Sequence, residues 1–231
     1  MSTEQQGWPA GYYIAPRQCN ISAELVAAYR DIPAAVIGDC LGRSTGTIGL
    51  QRYHQDVNRI ICGPAMTVRV CPGDNLMIHK ALFMAQPGDI IVIDGGGDVT
   101  QALIGGLIKT TAITRNIAGF IVDGAIRDLA EWASGEIPVY AKGHTHRGPS
   151  KTGPGEINVP VCCAGMVVNP GDIVIADSDG AVAVPAAQAT DILVKAREQL
   201  EKEHLIRRHN QAGTADPERF DAILRKLGCP L

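Results

Sequence analysis

Along the first 185 residues, two patterns of apolar and polar positions follow each other. Short apolar runs bounded by glycine, proline or aspartate predict buried strands, and apolar residues three or four positions apart predict helices. The predicted strands are 65–70, 89–93, 119–123, 137–142, 159–163, 173–177 and 181–184. The predicted helices are 22–31, 33–42, 75–86 and 100–113, the last interrupted at 105–106. This order predicts an α/β domain whose central sheet is flanked by helices.

The pattern changes after residue 185. From Ala186 to about Asn210, the apolar residues form one helical stripe, and beyond Leu200 the segment becomes strongly charged. A helix that leaves its own core in this way usually has a partner, which favours a homo-oligomer. Gly213 is expected to end this protruding helix, and residues 217–227 to form a short last helix.

The chain therefore divides into three predicted parts. Residues 1–20 are polar and aromatic and are expected to form an N-terminal arm on the surface or on a neighbouring subunit. Residues 21–185 form the α/β domain, and residues 186–231 form a C-terminal helical extension at a subunit interface. With 231 residues and 45% hydrophobic content, the chain is long enough for one sizeable domain.

Composition narrows the function classes. The net charge is −3, and the sequence has no basic run interleaved with aromatics, which argues against a nucleic-acid partner. It has neither a long apolar segment nor a secretory signal, which predicts no membrane association and a cytoplasmic protein. The seven cysteines are scattered without a Cys-x-x-Cys pair, which predicts free, buried thiols in a reducing compartment and disfavours structural zinc.

The candidate chemistry is concentrated between Ile93 and Trp132. A strand, a glycine-rich turn, a helix and a second strand follow in order, and polar residues stand where the strands end. Ligands bind at that edge of open α/β sheets. Backbone N–H groups at a helix start suit a carboxylate or phosphate. Arg127 supplies a fixed positive fork, and Asp128 is a hard ligand for a divalent cation. Together these groups predict a site for a small α-keto acid.

A dinucleotide site is the main alternative for the glycines at 95–97. The fingerprint is broken because Thr100 stands at the place of its third glycine. Asp123 also lies somewhat further along the chain than the usual ribose-binding acid. The Gly-Lys-Ser/Thr sequence of a phosphate-binding loop is missing as well. These departures disfavour a nucleotide cofactor.

A family resemblance is carried by Gly106, then twenty residues, then Arg127-Asp128, then two residues and Glu131. This spacing resembles the Gly-x20-Arg-Asp-x2-Glu/Asp signature of the superfamily shared by the regulator of ribonuclease activity A and the class II 4-hydroxy-4-methyl-2-oxoglutarate / 4-carboxy-4-hydroxy-2-oxoadipate aldolases. Segments 72–79, 155–165 and 169–185 also look like family segments, so the resemblance covers about 33–213.

The resemblance implies a swivelling-type α/β/α domain in a homotrimer or homohexamer, with Mg²⁺ or Mn²⁺ as cofactor. Asp128 and Glu131 would hold the metal, largely through waters, and Glu203 would reach the site of an adjacent subunit. Arg127 would bind the keto or enolate oxygen. The N–H groups of Leu107 and Ile108, after Gly105-Gly106, would bind the pyruvyl carboxylate. Many of the aldolases place an Asp where this chain has Gly106, which leaves metal affinity and substrate open.

Each candidate also has a structural interpretation. Asp128 is compatible with a helix cap, Glu131 and Glu203 with solvated helix charges, and the glycines with tight packing. Asn75 and His79 stand four residues apart on one helix face, where His79 is suited to relay a proton or to a purely structural role. His144 and His146 lie in a predicted exposed loop and are assigned no function.

The expected function is that of a metal-dependent pyruvate lyase. It would cleave a 4-hydroxy-2-oxo acid by retro-aldol reaction, decarboxylate oxaloacetate, or do both through one pyruvate enolate. Lys109 is expected to face solvent, which leaves no lysine in the motif for a Schiff base. The alternatives are a non-catalytic, regulator-like binding protein and an enzyme for a different keto acid.

Overall fold

The computed structural model of the chain describes residues 7–231; the first six residues of the predicted arm lie outside this range. The strands are β1 Tyr12–Ile14, β2 Gln51–Arg52, β3 Ile61–Val70, β4 Ile90–Asp94, β5 Ala102–Ile104, β6 Gly119–Ile126, β7 Val139–His144, β8 Gly155–Ile157, β9 Val161–Cys163, β10 Met166–Val168, β11 Ile173–Asp177 and β12 Gly180–Val184. The helices are α1 Ala23–Ala27, α2 Ala34–Cys40, α3 Leu76–Met84, α4 Gly106–Thr114, α5 Leu129–Ala133, α6 Ala189–Gln211 and α7 Glu218–Lys226.

The centre of the sheet is parallel, in the order β3-β4-β6-β7. Strand β4 connects to β6 through α4, which confirms the predicted crossover unit. In register, Asp94 at the end of β4 pairs with Asp123 of β6. The polar residues after these strands therefore share one edge of the sheet, as the sequence predicted.

Antiparallel strands extend this parallel centre. The first half of β3 pairs with β11 and its second half with β8, so one long strand belongs to both parts of the sheet. Strands β11 and β12 form the hairpin predicted around residues 178–180. Strands β9 and β10 form a separate two-stranded sheet.

Side chains alternate between two cores on the faces of the parallel strands. Ile91 and Ile93 of β4 point to one face, which α3, α4 and α5 cover. Ile90 and Val92 point to the other face, which the β9–β10 and β11–β12 hairpins cover. A third cluster lies on the far side of β11–β12, beneath α1, α2 and α6. The prediction of a central sheet flanked by helices is confirmed.

The segment 100–113 differs from the prediction of one interrupted helix. Residues 102–104 are the short strand β5, fully buried beside the end of β6, and α4 begins only at Gly106. An Ala-Leu-Ile triplet suits either element in isolation, and pairing with β6 decides for the strand. The chain therefore passes from strand to helix at Gly105, close to the end of β6.

The predicted N-terminal arm is partly built into the sheet. Strand β1 pairs in parallel with β8. Further along, the Arg17 guanidinium binds both carboxylate oxygens of the buried Asp89, at 2.9 and 2.5 Å. At least residues 12–17 are thus integral to the domain, because strand pairing and a buried ion pair tie them down.

The C-terminal extension agrees with its predicted pattern. The residues at 189, 192, 193 and 196 are buried, whereas the rest of α6 beyond residue 200 and all of α7 are largely exposed. All seven cysteines are free, but Cys71 and Cys162 are exposed, so the prediction of uniformly buried thiols was wrong. None of the helices within residues 7–231 is both long and apolar enough to cross a membrane.

Candidate functional site

A cavity of about 90 Å³ opens where β5 and β6 end and α4 begins. It brings together six of the residues that the sequence singled out, although they come from three separate segments. The lining is formed by Asn75, His79, Ala102, Leu103, Ile104, Gly105, Leu107, Ile108, Arg127, Pro149 and Lys151. These six predicted residues therefore line one concave space.

The start of α4 presents two free backbone donors to this cavity. In a continuous helix, the N–H groups of Leu107 and Ile108 would bond to the carbonyls four residues earlier. Those carbonyls are already used: Leu103 O accepts Asn75 Nδ2 at 2.9 Å, and Ile104 O accepts the N–H of Arg127 at 3.0 Å. Within residues 7–231, neither N–H has another acceptor. Free N–H groups at a helix start favour an anion.

The backbone on both sides of Arg127 is fixed by neighbouring groups. Its N–H donates to Ile104 O, and its carbonyl accepts the indole N–H of Trp132 at 2.8 Å. Trp132 is fully buried and lies edge-on to Phe120. The guanidinium reaches the cavity, with Nε 3.6 Å from Asp128 Oδ2. Arg127 is thus a positive group presented from a rigid base.

Asp128 adopts a left-handed backbone conformation, with φ 61° and ψ 47°. This conformation is uncommon for a residue other than glycine, although Asp tolerates it better than most. It directs the carboxylate to α4, where Oδ2 accepts the N–H of Gly106 at 2.8 Å. A Cβ on Gly105 would lie 2.5 Å from that same oxygen. Position 105 therefore has to be glycine for Asp128 to stand here.

Glu131 occupies the space beside the other glycine. A Cβ built on Gly106 would lie 2.2 Å from Oε2 and 2.4 Å from Oε1 of Glu131. The carboxylate thus fills the volume that a short acidic side chain at position 106 would itself occupy. Glycine at position 106 thus leaves room for the carboxylate of Glu131 on α5. Tight packing of the helix on the sheet does not by itself give this explanation.

A divalent cation fits this donor set in one particular way. No three His, Cys, Asp or Glu side chains converge on one point within residues 7–231, so the site is no all-protein cage. Mg²⁺, however, usually keeps several waters and takes only one or two carboxylates. Asp128 and Glu131, placed over adjacent glycines, fit such a water-rich site.

Asn75 and His79 line the opposite wall of the cavity. Asn75 is only 4% exposed, and its Oδ1 has no hydrogen-bond partner among the described residues. An acceptor buried without a partner is costly unless a ligand or water supplies the donor. Burial lowers the pKa of His79, and the positive charge of Lys151 lowers it further. Both effects favour the neutral imidazole of His79, the form that accepts a proton.

Lys151 and its supporting aspartate were missed by the sequence reasoning. Lys151 belongs to the Gly/Pro-rich loop that was expected only to be exposed, and the structure folds it over the cavity. The buried Asp74 anchors the loop by accepting hydrogen bonds from Ser150 Oγ and from the N–H of Thr152, at 2.7 and 2.6 Å. Burial acts to raise the pKa of Asp74, but these hydrogen bonds lower it overall. A lone lysine inside that loop was the only signal in the sequence.

Six of the residues singled out in the sequence do not line this cavity: Gly106, Asp128, Glu131, His144, His146 and Glu203. His144 and His146 line a second cavity of about 280 Å³, which Arg127 and Asp128 also line. Glu203 stands on α6, where it accepts Gln199 Nε2 at 2.9 Å, and does not join the cavity of its own chain. Within one chain, the structure does not unite Glu203 with the other predicted metal ligands.

The prediction that Lys109 faces solvent was wrong. Its side chain is buried, and Nζ donates to Glu131 O, Ser134 Oγ and Glu136 Oε2. Helical spacing did point Lys109 away from the cavity, but α5 and the turn after it cover that side of α4. Periodicity within one helix carries no information about which neighbour lies there.

Comparisons with known proteins show the family to which the chain belongs. A profile of the family described as "RraA-like: Aldolase/RraA" matches residues 34–183. The chain is 39% identical over 176 residues to the "Putative 4-hydroxy-4-methyl-2-oxoglutarate aldolase" of Halalkalibacterium halodurans, covering 76% of this chain and 83% of that protein.

Solved structures show the same fold. Streptomyces coelicolor RraAS2, described as an unusual member of the RNase ES inhibitor RraA protein family, is 28% identical, with a TM-score of 0.75 over 83% of this chain and 99% of that one. The RNA-processing inhibitor RraA from Thermus thermophilis is also 28% identical, with a TM-score of 0.61 over 67% of this chain and 93% of that one. These similarities support an aldolase-type or RraA-like function, and the chain belongs to the RraA-like family.

Proposed function

We propose that this protein is a divalent-metal-dependent pyruvate lyase. It cleaves a 4-hydroxy-2-oxo acid by retro-aldol reaction, decarboxylates oxaloacetate, or does both. The observation that carries this proposal is the convergence of two free N–H groups, a guanidinium and two carboxylates around the start of α4. A 2-oxo acid offers a carboxylate for the N–H groups and a keto oxygen for the guanidinium.

The substrate's orientation follows from the charges. The 1-carboxylate lies on the N–H groups of Leu107 and Ile108, and the 2-keto oxygen faces Arg127. The remainder of the substrate extends to the wall formed by Asn75, His79 and Lys151. Asn75 Oδ1 would accept a hydrogen bond from a substrate hydroxyl, and Lys151 would meet a second carboxylate.

When the substrate bond breaks, its electron pair moves toward the most positive part of the site, next to Arg127. A water beside Arg127 takes the proton from the 4-hydroxyl, and neutral His79 relays it. The C3–C4 bond breaks, a second keto acid departs, and its electrons form the C2–C3 enolate of pyruvate. Loss of CO₂ from oxaloacetate gives the same enolate. Protonation at C3 completes either reaction.

Mg²⁺ or Mn²⁺ supplies a Lewis acid at the keto oxygen when bound, an effect typically worth several kcal/mol. Asp128 and Glu131 are the residues proposed to hold it through waters. Arg127 stabilises the negative charge that develops on the keto oxygen. Loss of one such preorganised donor typically lowers kcat about 100- to 1,000-fold.

The assay is pyruvate release from oxaloacetate and from 4-hydroxy-4-methyl-2-oxoglutarate, with Mg²⁺ or Mn²⁺ and then with EDTA. Blanks with metal alone correct for decarboxylation by the free ions. Arg127→Ala is expected to lose at least about 100-fold in kcat. Arg43→Ala is the matched control and is expected to keep full activity, since Arg43 is exposed and its one ion-pair partner within residues 7–231 is Asp39.

The assembly belongs to the same proposal. The exposed apolar residues of the C-terminal extension, including Leu205, Phe220, Ile223 and Leu227, need a covering partner. We propose a homotrimer or homohexamer in which Glu203 reaches the site of a neighbouring copy. Light scattering gives the copy number, and loss of activity in Glu203→Ala without loss of assembly supports the shared site.

A non-catalytic, regulator-like binding role is the alternative, and the similarity to RraA structures favours it. A metal-replete, well-folded oligomer that releases no pyruvate from either substrate, at rates above the blanks, would move the assignment to that role or to a different keto acid.

A further inference from the structure

Lys109 is buried at the junction of α4 and α5. It is 5% exposed, and Nζ donates to Glu131 O at 2.6 Å, Ser134 Oγ at 2.7 Å and Glu136 Oε2 at 2.9 Å. An ammonium group has three donors, and each of them is used here. Burying an ammonium is unfavourable unless it is paired and hydrogen-bonded in this way. The arrangement therefore accounts for a burial that helical periodicity does not predict.

The acceptors of Lys109 all belong to one short element and the turn that follows it. Helix α5 has only five residues, and a helix of this length is not stable by itself. Its position depends on what it is tied to. Lys109 ties its last turn to α4, whereas Asp128, the residue just before α5, accepts the N–H of Gly106. Donors on α4 thus hold both ends of α5.

Glu131 is consequently constrained at two points. Its carbonyl accepts from Lys109, and its carboxylate lies against Gly106, three residues earlier on the same face of α4. Rotation or sliding of α5 would break the first contact and withdraw the carboxylate from the second. Lys109 itself does not line the cavity, so a direct contact with the substrate is not its role.

We propose that Lys109 is a positioning residue that holds α5, and with it the carboxylates of Asp128 and Glu131, against the anion-binding start of α4. The role of those carboxylates in binding a cation rests on the proposed function. The clamp on α5 does not, because it follows from hydrogen bonds within the chain.

The experiment compares Lys109→Met, which keeps the length of the side chain and removes its three donors, with the wild-type chain. Hydrogen–deuterium exchange measures the order of residues 129–133, and EPR titration of free Mn²⁺ measures metal affinity. In the variant, the amides of α5 are expected to exchange about tenfold faster than in the wild type, because a charge-assisted anchor is lost. The dissociation constant for Mn²⁺ is expected to rise about 10- to 100-fold, as for other groups that orient metal ligands.

Two controls separate positioning from general effects. Lys80→Met removes an exposed lysine on α3 and is expected to change neither measurement. Glu136→Gln keeps an acceptor for Lys109 but removes the charge of a side chain that is 59% exposed; Mn²⁺ affinity is expected to stay within about twofold of the wild type, because exposed ion pairs contribute little. Exchange in the central strand β4 reports whether Lys109→Met is folded.

The outcomes are distinct. Unchanged exchange of α5 in a folded Lys109→Met chain would overturn the positioning role. So would faster exchange with unchanged Mn²⁺ affinity, since the carboxylates would then not depend on the clamp. If the wild-type chain neither binds Mn²⁺ nor releases pyruvate, the proposed function fails, and faster exchange confined to α5 still supports Lys109 as the residue that positions this helix.

Discussion

Gly106→Ala tests whether the carboxylate of Glu131 is needed where it lies. The new Cβ would stand 2.2, 2.4 and 2.5 Å from Oε2, Oε1 and Cδ of Glu131, whereas ordinary contacts begin at about 3.4 Å. The carboxylate must therefore move by roughly 1 Å. A misplacement of that size at a catalytic constellation can lower activity about 100-fold. We expect this loss in kcat/KM, together with weaker binding of Mn²⁺.

The same substitution is expected to leave the fold intact. The atoms in the way are the far end of a flexible side chain, and Gly106 does not have a positive φ. Replacing a helical glycine by alanine gains about 0.5–1 kcal/mol, which offsets the displacement. The free energy of unfolding, measured in urea, is therefore expected to lie within about 1 kcal/mol of the wild type.

Gly38→Ala is the matched control, since Gly38 lies inside α2 and its Cβ would meet only Val182 Cγ1, at 3.9 Å. It is expected to stabilise the fold by about 0.5–1 kcal/mol without changing activity. Full activity and metal affinity in Gly106→Ala would refute the assignment of Glu131 to the site. Gly106→Asp combined with Glu131→Ala places an acid in the same volume and is expected to be more active than either single variant.

Three further predictions concern two buried groups of the fold and one residue that supports the site. Burial, with the charges of Arg52 and Arg59, lowers the pKa of His54 in the folded chain. As the pH falls below about 6.5, the unfolded chain therefore takes up a proton first, and the free energy of unfolding should decline. His54→Gln should flatten that decline in urea titrations. Arg17→Ala should destabilise the fold by about 2 kcal/mol in chemical denaturation, because the buried Asp89 loses two charge-assisted hydrogen bonds. An unchanged stability would contradict the conclusion that the N-terminal segment is integral to the domain. Trp132→Phe removes the donor to Arg127 O and should lower kcat more than it raises KM in steady-state assays. Stability and kinetics equal to those of the wild type would show that this hydrogen bond does not position Arg127.

Local pattern was sufficient for most elements of this fold. Apolar runs after Pro-Gly turns predicted β4 and β11, and the helical stripe predicted the buried part of α6. Such patterns are local because each element must bury one face, whichever elements lie next to it. The same logic placed the polar residues after β4 and β6 at one edge of the sheet. The family resemblance, rather than the pattern, named Leu107 and Ile108 as neighbours of Arg127, and all three line the cavity.

Tertiary contacts decided what local pattern leaves open. Residues 102–104 became a strand because the end of β6 offered a pairing edge. Lys151 reached the cavity because Asp74 anchors a loop far along the chain. Lys109 was buried, and Glu131 was set against Gly106, because α5 lies across α4. The sequence alone determined which groups are present and on which elements; packing between those elements determined which groups meet, since it depends on neighbours that periodicity does not identify.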